Sequence, residues 1–254
     1  MAQSSSLEQN IRSFLHAATP SLSTLILLGP LLLIYGIVSG WFVGMLKSRY
    51  LLETAYSRKI FHVLIFTMAG VLQLTIGVSA VMLFGALISG CVMYAVFRGE
   101  GFPFYEAMAR KKDAPHRTMY ILIPLITTAL GGLFSNIFFG KIAAVGYIVS
   151  GWGDAVGEPV GATWGNHPYR VPSIAGVPAI RTLEGSGAVL FFGILGAFFV
   201  LLGMGYSWGY AIFIAGIAGC VGALVEAISN HGLDNFTVQI FASLTAYLLV
   251  TYLI

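Results

Sequence analysis

The chain has 254 residues, 57% of them hydrophobic and 9% charged, with a formal net charge of +3. A soluble domain carries about 25% charged residues, so this composition excludes an ordinary globular protein. The basic residues sit in short loops rather than in a stripe, which excludes a nucleic-acid partner and suits the anionic lipids of a cytoplasmic membrane surface.

In chain order, residues 1–20 are polar and lack the apolar core of a cleavable signal. Ser6-Leu7-Glu8-Gln9 fits a capping box, and Leu7, Ile11, Phe14, Leu15 and Ala18 follow at helical spacing. This predicts a short interfacial helix, followed by a single transmembrane catalytic domain over 21–254. From Leu22 onward, apolar stretches of about twenty residues recur, long enough to cross a hydrocarbon core of about 30 Å. Spans are predicted at 22–46, 60–76, 78–97, 119–139, 142–163, 187–205, 208–226 and 238–254. The second is short and the fifth is rich in glycine, so the expected fold is all-α, a polytopic transmembrane helical bundle of seven or eight spans. Cys91 and Cys220 lie singly in apolar segments, with no CxxC or Cys/His cluster, and read as buried structural thiols.

With eight spans, the loops 47–59, 98–118, 164–186 and 227–237 share one side. They hold Lys47, Arg49, Arg58, Lys59, Arg98, Arg110, Lys111, Lys112, Arg117, Arg170 and Arg181, leaving only Arg12 and Lys141 opposite. The positive-inside rule makes that side of a multi-pass cell membrane protein cytoplasmic and puts both termini outside. Every carboxylate except Glu8 lies in or beside those same loops. The rule is nearly blind to Asp and Glu, so their clustering points instead to a site for metal and phosphate.

Three segments carry most of the chemistry. In Gly153-Asp154-Ala155-Val156-Gly157-Glu158-Pro159-Val160-Gly161, glycines fall every fourth residue, a pattern that also serves close helix packing. Asp154 and Glu158 stack on one face, repelling each other unless a cation or basic side chain sits between them. Pro159 is expected to kink or end the helix. Arg58, Lys59 and His62 converge at the start of the second span as a phosphate clamp. In Arg181-Thr182-Leu183-Glu184-Gly185-Ser186, Thr182 can cap a helix, Arg181 can bind phosphate and Glu184 can join metal ligands. Glu226 and Asp234-Asn235 add carboxylates to the last loop of that side. The stretch 101–118, with Phe102, Phe104, Tyr105 and Met108 beside Arg110, Lys111 and Lys112, reads as an amphipathic segment on the bilayer surface, without a catalytic role.

The blocks RKIFH at 58–62, GDAVGEPVGATWG at 153–165, RTLEGS at 181–186 and EAISNHGLDNFTV at 226–238 resemble the phytol kinase/dolichol kinase family. That family includes a CTP-dependent diacylglycerol kinase and is related to the phosphatidate cytidylyltransferases. Relatives usually have Lys where this chain has Arg181. The resemblance implies transfer of the terminal phosphate of CTP, with magnesium, to a lipid alcohol such as phytol, a polyprenol or dolichol, farnesol or diacylglycerol. It implies metal ligation by Asp154, Glu158 and Glu184, and triphosphate binding by Arg58, Lys59 and Arg181. Gly153, Gly157, Gly161, Gly185, Ser186 and Asn235 would lie along the nucleotide. Asp154, His62, Asp234 and Glu226 form the catalytic group, with the proton acceptor open among Asp234, Asp154 and His62. Two alternatives are a phosphatidate cytidylyltransferase making a CDP-lipid and a cation-coupled transporter. The one-sided clustering and the lack of an internal repeat weigh against transport.

Overall fold

The computed structural model describes residues 2–172, 179–230 and 232–253, with side chains from Leu7 onward. Its helices, in order, are α1 (Ala2–Ala18), α2 (Leu22–Arg49), α3 (Thr54–Thr75), α4 (Val78–Arg98), α5 (Pro103–Met108), α6 (Met119–Phe139), α7 (Ala143–Trp164), α8 (Leu183–Gly203), α9 (Trp208–Ile228) and α10 (Asp234–Leu253). A two-stranded antiparallel hairpin, β1 (Pro168–Val171) and β2 (Ala179–Thr182), precedes α8, with Tyr169 opposite Arg181. The expectation of an all-helical chain did not include this hairpin. His231, within the fourth sequence block, lies outside the described residues.

Among the described residues, six segments are long and apolar enough to cross a membrane: Leu22–Arg49, Val78–Arg98, Met119–Trp164, Leu183–Gly203, Trp208–Ile228 and Asp234–Leu253. This is a helical membrane bundle, with six such segments rather than the seven or eight spans expected. The numbers part at two places. Helix α3 carries Arg58, Lys59 and His62 in its first turns and Gln73 near its end, so it falls outside the apolar set. Met119–Trp164 contains both α6 and α7. They double back at Gly140, and the Tyr147 hydroxyl accepts a hydrogen bond from Asn136. Large apolar side chains such as Leu22, Ile26, Leu31 and Trp41 are exposed, as lipid-facing residues of such a bundle are.

Helix α7 is the axis of the molecule, packed by α3, α6, α8, α9 and α10. Its small residues permit this. A Cβ at Gly146 would collide with the Gln239 carbonyl and Ser243 of α10, and one at Gly157 would come within 2.5 Å of Val189 in α8. The helix continues to Trp164, past the point where Pro159 was expected to kink or end it. The proline removes one donor, and the helix regains its ladder beyond it.

Three further expectations are corrected. Helix α1 begins at Ala2, so Ser6 lies within it rather than capping it; α1 rests against α4 and α6 with Phe14 buried. Cys220 is exposed, and only Cys91 is partly enclosed; both thiols are free. The stretch 101–118 is a surface segment only in part: Lys111, Lys112 and residues 114–116 are exposed, but its apolar half is packed inside. Phe104, Tyr105, Met108 and Arg110 are buried, because α5 settles into a notch left by glycines of α2. The Phe104 ring covers Gly40 and meets Phe61 edge-on at 5.0 Å, and a Cβ at Gly44 would press on the α5 backbone at 3.1 Å. Apolar burial of this kind holds the whole connection in place.

Candidate active site

One end of the bundle gathers the charged segments. Thr54 and Ser57 of α3 donate to the carbonyls of Glu106 and Ala107, and Tyr56 bonds Thr163 of α7. These bonds place the start of α3, the α5 connection and the end of α7 side by side. Helix α3 begins six residues before the predicted span, so Arg58 and Lys59 join His62 on a formed helix rather than lying on a loop.

The first half of the site is built on α3 and α7. The Lys59 ammonium lies 2.7 Å from Asp154 Oδ1 and 3.3 Å from Glu158 Oε2, between the two stacked carboxylates. Arg58 donates to Glu158 Oε2 at 3.0 Å, and Arg110 donates to its other oxygen at 2.8 Å. Lys112 stands 3.8 Å from that oxygen. Four cations therefore surround one carboxylate. The Lys112 side chain is 69% exposed, and partial desolvation, then the neighbouring Arg110 guanidinium, hold its ammonium below the usual lysine range. His62 Nε2 lies 3.5 Å from Asp154 Oδ2 without a hydrogen bond, and its ring packs on Phe66 at 4.3 Å.

The second half is built on β2, α9 and α10. Arg181 reaches Glu226 Oε1 and Asp234 Oδ2, each at 2.9 Å, and donates to the Ser229 carbonyl at 3.3 Å. The strand ends where Thr182 caps α8 by accepting from the Gly185 N–H, as its sequence position suggested. This cap and the hairpin pairing with β1 fix the direction in which Arg181 points.

The halves meet at Asp154, Glu226 and Asp234, which offer one oxygen each within 4.8 Å of one another. Among the described residues this is the group able to hold a metal ion. Glu226 is 6% exposed, and its Oε2 has no hydrogen-bond partner. Three carboxylates this close repel unless a cation lies among them, and an unpaired buried carboxylate oxygen is costly.

The expected metal set was Asp154, Glu158 and Glu184, and the structure does not bring these three together. Glu158 is taken up by arginine and lysine. Glu184 turns outward to His167, whose Nδ1 lies 2.6 Å from its carboxylate. Gly157, Gly161, Gly185, Ser186 and Asn235 line a cavity of about 980 Å³ that holds both halves of the site. Gly153 packs against Val189 instead. Ser186 shares a hydrogen bond with the Tyr169 hydroxyl, and Asn235 donates to Thr128.

Sequence reasoning missed Arg110. It forks onto Asp113 at 2.8 and 3.1 Å, while its remaining nitrogen reaches Glu158. The signal was its spacing of three residues from Asp113, an ion-pair spacing on a helical turn. Lys112 and Asp113 also line the cavity.

Comparison with known proteins gives one curated relative. The chain is 31% identical over 122 residues to the phytol kinase of Synechocystis sp. (strain ATCC 27184 / PCC 6803 / Kazusa). The match covers 46% of this chain and 48% of that protein, so the chain spans about half the length of the relative it matches. No family model matches the chain, and no solved structure does. The similarity supports a phytol kinase-like family and, at that level, a lipid kinase.

Proposed function

We propose that this protein is a membrane-embedded kinase that transfers the terminal phosphate of CTP to the hydroxyl of a lipid alcohol. One observation carries the reading. A bank of cations (Arg58, Lys59, Arg110 and Lys112) and a carboxylate trio (Asp154, Glu226 and Asp234) face the same cavity, which continues between α4 and α6 along a largely apolar wall. Phosphoryl transfer asks mainly for positioning and for countercharge along the phosphates. Both are supplied here at the mouth of a space fit for a hydrocarbon chain.

The trio, with its unpaired Glu226 oxygen, fits magnesium, which takes a few carboxylates together with phosphate oxygens. Bound there, magnesium would neutralise charge developing on the phosphates. Arg58, Lys59, Arg110 and Lys112 hold the triphosphate, displacing part of their present hold on Glu158. Arg181 keeps Glu226 and Asp234 in place. The alcohol oxygen forms its bond to the terminal phosphorus as the bond to the bridging oxygen breaks, releasing CDP. We assign the hydroxyl proton to His62: Asp154 is engaged by Lys59 and Asp234 by Arg181, while His62 Nε2 has no hydrogen-bond partner. Our reading has eight crossings, with α3 and both α6 and α7 spanning, the charged end cytoplasmic and both termini outside.

The test is incubation of the purified protein in detergent with magnesium, γ-labelled CTP and a panel of lipid alcohols. Label in the extracted lipid supports the kinase and identifies its acceptor. If only α-labelled CTP with phosphatidate labels lipid, the protein is a cytidylyltransferase. Silence in both arms favours a transporter.

A further inference from the structure

We propose that the substrate's hydrocarbon chain lies in a trough between α4 and α6, and that Gly85 keeps the deep end of this trough open. The inference rests on the kinase reading above and extends it to chain recognition. The cavity that holds the charged residues continues between these helices. On α4 it is lined at 81–82, 85–86, 88–89 and 92, a single helical face three turns long. At 1.5 Å per residue that face extends about 16 Å. On α6 the matching face carries Ile121, Leu125 and Ala129.

Val92 lies on the half of α4 nearer Arg98 and the charged end, and Ile121 lies near the start of α6 on the same side. Gly85 is therefore two turns further in, about 10 Å beyond Val92 along the helix. It is exposed, as are Ala86 and Ala129, so α4 and α6 do not close over the trough halfway along their length. A Cβ at Gly85 would meet nothing within 4 Å. Glycine is a poor helix former, and packing does not require it here. Its effect is to leave room. The trough has a charged head and an apolar body, which is the polarity of a long-chain alcohol and not of a soluble substrate.

The test compares wild type, Gly85→Leu and Gly85→Phe on alcohols of 10, 15 and 20 carbons with γ-labelled CTP. Gly90→Phe serves as control: it is on the same helix and also faces open space, but it lines a neighbouring groove with α2 and α5 that shares only Ala86 with the trough. Both Gly85 variants should retain turnover of the 10-carbon alcohol, which also reports that they fold. On the 20-carbon alcohol, kcat/KM should fall by about tenfold or more, the scale at which a shortened apolar pocket discriminates. Gly90→Phe should leave the chain-length profile unchanged. A flat profile in the Gly85 variants, an equal loss at every length, or the same shift in Gly90→Phe would overturn the trough while leaving the kinase reading intact. Wild type inactive on every alcohol would overturn both.

Discussion

Lys59 of α3 meets Asp154 of α7 at 2.7 Å, and its ammonium also lies 3.3 Å from Glu158, one turn further along. Two like charges stacked at this spacing repel. Lys59 resolves that conflict from a neighbouring helix and is itself almost fully buried. The contact thus joins the helix pair α3–α7 and sets the orientation of Asp154 toward Glu226 and Asp234.

The two partners should respond differently to neutralisation. In Asp154→Asn, Lys59 keeps Glu158, so the bundle should insert and melt nearly as wild type. Activity should fall at least about a hundredfold, the scale of losing one preorganised electrostatic partner. In Lys59→Met, two half-buried carboxylates lose the buried cation they share, and a broken buried pair costs about 3–5 kcal/mol. Thermal unfolding in detergent, measured beside phosphoryl transfer, separates the two outcomes.

Arg110 should behave as both a structural and a binding residue. Arg110→Ala strands Asp113, which is 1% exposed, and again removes one side of a buried pair, a cost of about 3–5 kcal/mol. Arg110→Lys retains the charge but cannot reproduce the fork onto Asp113 while reaching Glu158. It should therefore remain folded with a raised KM for the nucleotide. Melting curves and nucleotide titration on both variants check this.

The elements legible from sequence were those written in local patterns. The apolar runs at 78–97, 119–139 and 208–226 became α4, α6 and α9 within two residues at each end, because a run of that length leaves a chain in lipid no alternative to a helix. The stacking of Asp154 and Glu158, the convergence of Arg58, Lys59 and His62, and the Thr182 cap also follow from spacing alone. Arg110 was hidden because its role depends on α5 filling the notch at Gly40 and Gly44, a long-range packing event that no local period reports. The placing of Glu184 was hidden for the opposite reason: it sits beside Arg181 in sequence, but the start of α8 turns it toward His167 while Arg181 turns toward α9 and α10. The grouping of Asp154, Glu226 and Asp234 draws on three helices, so it could not be read from spacing.

The metal requirement should follow the trio. Glu226→Gln and Asp234→Asn each remove one carboxylate charge from the group and should raise the magnesium concentration needed for half-maximal rate. Glu184→Gln alters a partly exposed pair with His167 and should change neither that concentration nor the melting point beyond the ~0.5 kcal/mol scale of surface substitutions. Magnesium titrations of the three variants would show whether the ligands are the trio or the set first expected from sequence.

The alkaline limit of activity should report Lys112. Although most of its side chain is exposed, its ammonium is held below the usual lysine range by partial desolvation and then by Arg110, so it loses its proton at lower pH than a free lysine does. Below its pKa the group is charged and helps hold the triphosphate; as pH rises through that pKa the charge is lost, and nucleotide affinity should weaken. Arginine stays protonated throughout this range. Lys112→Arg should therefore match wild type near neutrality and move the alkaline fall in kcat/KM for CTP to higher pH, whereas Lys112→Gln should be weakened at every pH. An alkaline limb unchanged in Lys112→Arg would assign it to a different group and remove Lys112 from the phosphate-binding bank.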